Sequence, residues 1–226
     1  MQSFSKLNVR FSAVLAVAGV LLLPAVLAAA GGGGGGGNPK STDVTQIDEN
    51  WQLQIGTPNS SIGSPQLTFL ISPTADTSGY YAILTVNQRD GAVGGLQLTL
   101  YNGDTAVSGA SQTYSNTSAL ATTSEKISWT TSMSYASGTL TVSVSGLSST
   151  TWGNDNKTIL TVSTPATLNY LDSYDLTGGV SAANSGVDYG NQRVSKVIIK
   201  SIIPYLGSKK SPGADSLGGA TKQVYP

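Results

Sequence analysis

The chain has 226 residues, 39% of them hydrophobic and only 11% charged, and its twelve basic and twelve acidic side chains balance to zero. It contains neither histidine nor cysteine, which excludes disulfides, thiolate nucleophiles, Ser-His-Asp and Cys-His catalysis, His- or Cys-ligated zinc and a lipid on an N-terminal cysteine. Without a basic excess, nucleic acid is not an expected partner.

In chain order, residues 1–30 come first and read as a secretory signal. Met1 to Arg10 carries Lys6 and Arg10 and no acid, Phe11 to Ala30 carries no charge, and small residues precede the glycines. Cleavage after Ala28 or Ala30 satisfies the small-x-small preference. The alternative is an uncleaved membrane anchor through residues 11–30, since about 20 apolar residues span a bilayer. Pro24 near the end of the run favours cleavage. Either way the rest of the chain is expected outside the cell or at its surface. Residues 31–45, opening with seven consecutive glycines, read as a flexible linker.

Residues 46–207 are expected to form one domain. From Trp51 onward the hydrophobic period is two. Leu96, Leu98 and Leu100 alternate with Gln97 and Thr99, and Leu140, Val142 and Val144 alternate with Thr141, Ser143 and Ser145. In a strand that sends aliphatic side chains to one face and polar ones to the other. Further strands are predicted over Trp51–Ile55, Gln66–Ile71, Tyr80–Val86, Lys126–Thr131, Thr158–Val162 and Val194–Ile203. Asn102-Gly103 is a hairpin signal, and Asp90-Gly91 and Ser137-Gly138 mark further reversals. Pro204 is expected to end the last strand. Residues 208–226, aperiodic and rich in Lys, Gly, Ser and Pro, read as a disordered tail. Low charge and many hydroxyls also suit β structure, because a long solvated helix would want more than the two glutamates present, Glu49 and Glu125. The expected fold is all-β: a two-sheet antiparallel jelly-roll sandwich.

Several segments in this order resemble the concanavalin A-like jelly roll of legume lectins, laminin G-like domains and related glucanases. They are Tyr80-Tyr81-Ala82-Ile83, Gly94-Gly95-Leu96-Gln97-Leu98, Lys126-Ile127-Ser128-Trp129, Gly138 to Val144, Gly186-Val187 and Arg193-Val194 leading into Val197–Ile203. The resemblance spans about Trp51 to Tyr205 and implies two curved antiparallel sheets and a sugar or protein ligand. The catalytic acids of those glucanases have no counterpart here. Glu49 and Glu125 lie far apart in sequence, and Asp48 beside Glu49 would face the opposite side of a strand. The lectins' His-and-acid metal site has no counterpart either, so no cofactor or metal is expected.

Trp152-Gly153-Asn154-Asp155-Asn156 is the most site-like stretch. An indole beside amides and a carboxylate can stack on a sugar ring and bond its hydroxyls, and the same oxygens suit calcium; the plain alternative is a polar turn closed by one core tryptophan. Asp188-Tyr189-Gly190-Asn191 reads as a second loop of this kind. The candidate ligand-binding residues are therefore Trp152, Asn154, Asp155 and Tyr189, with no catalytic residue assigned. Trp51 and Trp129 are expected in the core. Tyr80, Tyr81, Tyr101 and Tyr114 are candidates for an aromatic strip, although Tyr80 and Tyr81 must face opposite sides of a strand. The expected function is non-catalytic: a secreted recognition or adhesion module for carbohydrate or an extracellular protein. The alternatives are a structural cell-surface or matrix protein, and a hydrolase whose acid pair the sequence does not reveal.

Overall fold

The computed structural model describes residues 43–56, 67–73, 79–86, 95–115, 120, 124–171, 184–190, 194–206, 209–210 and 222–225. The leader, most of the glycine linker, the Asp90-Gly91 reversal and most of the tail lie outside these residues.

The described chain is all-β: two antiparallel sheets packed as a sandwich, as the alternation predicts. The strands are β1 (Val44–Ile55), β2 (Leu67–Ile71), β3 (Tyr80–Val86), β4 (Gly95–Asn102), β5 (Thr105–Ser115), β6 (Lys126–Ala136), β7 (Thr139–Ser149), β8 (Gly153–Pro165), β9 (Gly186–Gly190), β10 (Val194–Leu206), β11 (Lys209–Lys210) and β12 (Lys222–Tyr225). The larger sheet runs β11-β10-β1-β6-β7-β8, with β12 also paired to β10; the smaller runs β5-β4-β3-β2-β9.

Alternation decides which face each residue takes. Leu67, Phe69 and Ile71 stand opposite Val86, Leu84 and Ala82, which stand opposite Leu96, Leu98 and Leu100. All nine are buried and meet the inner face of the other sheet. At its centre Trp51 pairs with Trp129 across β1 and β6, their rings stacked at 5.8 Å. Phe69 comes from the other sheet and meets both edge-on, at 5.3 and 5.0 Å. Each indole N–H is satisfied two positions along its own strand, by Glu49 at 3.2 Å and by Thr131 at 3.1 Å. Glu49 and Thr131 are themselves register partners, so the core holds one polar row beside one aromatic row. This bears out the core placement of both tryptophans.

The turns follow their residues. Ser137 and Gly138 connect Ala136 to Thr139, both with positive φ (49° and 75°), as a type I′ hairpin requires. In the β4–β5 hairpin Asn102 pairs with Thr105, and Gly103 takes the first turn position at φ 55°.

Three expectations are corrected. Pro204 does not end β10, which runs on to Leu206 with Pro204 opposite Ile47. On the other side of β10 the described partners, at 197–199 and 205–206, leave position 204 out, where a missing N–H costs no ladder bond. Second, β11 and β12 fall within the stretch expected to be a disordered tail, and both pair with β10, whose outer edge would otherwise be bare. Third, Asp188-Tyr189-Gly190 is not a loop but part of strand β9, paired with β2. An edge strand has few inward positions, and among the described side chains of β9 only Val187 packs on the core, so its sequence carries almost no alternation. The same reason hides β5, exposed along most of its length.

Candidate functional site

The outward positions of the two sheets differ in chemistry. On the larger sheet the register places Gln46, Ser134, Thr141 and Ser163 in one row, Asp48, Ser132, Ser143 and Thr161 in the next, then Asn50, Thr130, Ser145 and Thr158. Every one of these is polar, and those on β1 and β6 bond to one another; on β10 the same rows continue into half-exposed Tyr205 and Ile203 and into Ser201. Asp48 Oδ1 accepts from Ser132 Oγ (2.6 Å) and Gln46 Nε2 (2.8 Å), while its Oδ2 accepts from Tyr205 OH (3.0 Å). Asn50 bridges Thr130 and Ser201, both at 2.7 Å.

The smaller sheet is different. Tyr81 and Tyr101 are register partners on its outer face, with rings stacked at 5.3 Å and 6° from parallel. The next row contains Ser111, Thr99, Ile83, Leu70 and, at the β9 edge, Gly186. A third row runs Thr113, Gln97, Thr85, Thr68 and Tyr189. Tyr81, Tyr101, Ile83 and Leu70 are all half-exposed, on a face that an antiparallel sandwich normally gives to polar residues. Thr99 and Ser111 hydroxyls bond at 2.9 Å. Asp104, in the β4–β5 turn, and Asp188, in β9, are exposed and close enough to act on the Tyr81 hydroxyl. Partial burial is the main reason that phenol titrates above its usual value; the charges of Asp104, Tyr101 and Asp188 add to it. Tyr81 therefore keeps its proton, and its ability to donate, well above neutral pH.

The four residues singled out by the sequence are not brought together. Trp152 is half-buried and packs against the core from the β7–β8 turn. That turn is organised by buried Glu125. Its Oε1 accepts from Ser149 Oγ (2.5 Å) and Thr151 N (2.9 Å), and its Oε2 accepts from Thr151 Oγ1 (2.7 Å). Asn154 Oδ1 accepts from its cross-strand partner Ser148 (2.6 Å), and Asp155 Oδ1 accepts from Lys157 N (3.0 Å), a local turn bond. Tyr189 lies in the other sheet, in β9, at the end remote from the β5 edge that adjoins β8. Tyr80 and Tyr114 also turn from the strip: both pack on the core, and Tyr80 OH reaches Pro165 O at 3.4 Å.

The two glutamates do not form a pair. Glu49 lies at mid-β1, whereas Glu125 adjoins Ile55, whose N–H bonds its carbonyl. The separation from position 49 to position 55 is about 20 Å at about 3.4 Å per strand residue, beyond the carboxyl spacing of glycoside hydrolysis. Among the described residues no three metal-ligating acids come together.

Sequence reading missed Leu70 and Ile83. The available signal was that Leu67–Ile71 and Tyr80–Val86 carry apolar residues at both parities, where a half-solvated strand needs them at one. No protein-family model matches the chain, and no curated protein matches it.

Proposed function

We propose that this protein is an exported, non-catalytic recognition module that binds carbohydrate on the outer face of its smaller sheet. One observation carries the reading: a stacked tyrosine pair beside half-exposed aliphatic side chains, where the corresponding rows of β1, β6, β7 and β8 carry only hydroxyls, amides and a carboxylate, Tyr205 and Ile203 of the neighbouring β10 aside. Sugar recognition needs an apolar surface for the C–H faces of the ring and short polar groups for its hydroxyls. Tyr81, Tyr101, Ile83 and Leu70 supply the first; Thr99, Ser111, Gln97 and the two phenols supply the second. The basic-then-apolar leader supports export, and a lectin-like, concanavalin A-like jelly roll is the finer fold reading. Its support is the pairing of the first long strand with the last, β1 with β10, and the chain's repeated passage between the sheets.

The non-catalytic part rests on how the glutamates are used: Glu125 holds a turn with both oxygens and Glu49 holds an indole. Self-assembly through free sheet edges is the weaker alternative. At one edge Gln112 of β5 accepts from Thr161 N of β8 at 2.5 Å, occupying a ladder donor that an added strand would need.

The test is retention on a panel of immobilised glycans. Wild-type protein is expected to be retained by at least one polysaccharide, and a Tyr81→Ala/Tyr101→Ala variant with unchanged circular dichroism is expected to be released. Absence of retention on every glycan, or retention indifferent to both tyrosines, overturns the reading.

A further inference from the structure

The rows of the smaller sheet differ in height. Tyr81 and Tyr101 form a tall row, with Asp104 and Asp188 close enough to act on the Tyr81 hydroxyl. Beside it runs a low row of Ser111, Thr99, Ile83, Leu70 and Gly186, which crosses all five strands from β5 to β9. Neighbouring rows on one face lie about 7 Å apart and neighbouring strands about 4.8 Å, so the low row is a ledge about 19 Å long. Its middle is apolar, its β5 end carries hydroxyls, and its β9 end is unobstructed: a Cβ built on Gly186 meets nothing within 4 Å. The charges close to the neighbouring tyrosine row, Asp104 in the β4–β5 turn and Asp188 in β9, are both negative.

From this geometry we infer that the ligand is a neutral, unbranched polysaccharide lying across the strands along the Ser111–Gly186 row, with Asp104 and Asp188 excluding anionic polymers. The inference rests on the carbohydrate reading and adds two things to it, a direction and a charge preference. The apolar centre takes the C–H face of the sugar chain, while the phenol edges and the Thr99–Ser111 hydroxyls bond its rim. A branch on the tyrosine side would collide with that row. A uronic acid polymer would bring carboxylates to two fixed carboxylates, and like charges in contact are repulsive.

The experiment is affinity electrophoresis of the full chain in gels containing an unbranched neutral β-glucan, an unbranched neutral mannan, polygalacturonate or chitosan, at fixed ionic strength. Three proteins are compared: wild type, Asp104→Asn/Asp188→Asn, and Gly186→Gln. Wild type is expected to bind a neutral polymer at least tenfold more tightly than polygalacturonate. The double Asn variant is expected to narrow that ratio at least fivefold while keeping neutral binding within about twofold. Gly186→Gln, which fills open space, is expected to weaken polymer binding at least fivefold and leave a disaccharide of the same sugar unaffected. Equal or tighter binding of polygalacturonate, preference for chitosan, or indifference to Gly186→Gln overturns the inference. If the Tyr81→Ala/Tyr101→Ala variant still loses retention in that case, the carbohydrate reading stands without it. If wild type binds none of the four polymers and no glycan of the panel, both fall together.

Discussion

On the outer face of the larger sheet Ser132 stands opposite Ser143; on the outer face of the smaller sheet Tyr81 stands opposite Tyr101. Both positions sit mid-sheet on antiparallel pairs, and both lie above the same core. The larger sheet shows what a merely solvated face looks like in this chain: short hydroxyls and amides that bond one another and Asp48. Measured against β1, β6, β7 and β8, the tyrosines, Ile83 and Leu70 are a departure; the larger sheet's half-exposed Ile203 and Tyr205 lie on β10, where Tyr205 donates to Asp48. Contiguous exposed apolar surface on a stable scaffold marks a contact site, whereas a hydroxyl face needs no such explanation.

Four experiments bear on that contrast. The largest effect tests the common support. Trp129→Ala removes the ring that stacks on Trp51 and meets Phe69 edge-on and is expected to cost about 3–5 kcal/mol in urea denaturation, with both faces lost together. A cost below about 1 kcal/mol would mean the sheets are held elsewhere. Next is Glu125→Ala, which removes the acceptor of the Ser149 and Thr151 hydroxyls and leaves the Thr151 N–H only its longer bond to Ser149 Oγ. About 2–4 kcal/mol of destabilisation is expected, with glycan binding by the folded protein unchanged. Loss of binding at preserved fold would return the site to the Trp152 turn.

A transplant addresses the faces directly. Ser143→Tyr with Thr161→Tyr places an aromatic pair at register partners on the larger sheet. The pair is expected to add about 0.5–1 kcal/mol of stability and no glycan affinity, because the aliphatic row is missing there. Affinity gained on the doubled face would show that stacked tyrosines suffice. The smallest effect is a pH dependence. The Tyr81 phenol titrates above its ordinary value of 10.0 in the folded chain, so folding favours its protonated form. That stability is fully present below pH 10 and is lost as pH rises through the folded value. Thermal melts from pH 8 to 12 should therefore fall more steeply for wild type than for Tyr81→Phe; parallel curves would place the phenol in free solvent.

Much of the fold was legible because the inward residues of central strands are aliphatic at strict period two. Leu96, Leu98 and Leu100, or Leu140, Val142 and Val144, have only one way to be buried. β5 and β9 were not legible, since edge strands bury little and their sequences keep turn-like composition. Pro204 misled because a proline's effect depends on which side of the strand needs its N–H, and that is a property of the neighbours.

The site divides in the same way. Composition excluded histidine and cysteine chemistry, and alternation placed Trp51 and Trp129 inside; both follow from residue identity and local geometry alone. Whether Trp152 leads a site or closes a turn depended on Glu125, 27 residues earlier in the chain. Whether Tyr81 meets Tyr101, Asp104 and Asp188 depended on strand register, which couples positions as far apart as β3 and β9. In the central strands the inward positions follow from alternation alone, because burial answers to each strand's own pattern. Which outward side chains stand together follows from register, which is set by pairing between strands distant in the chain.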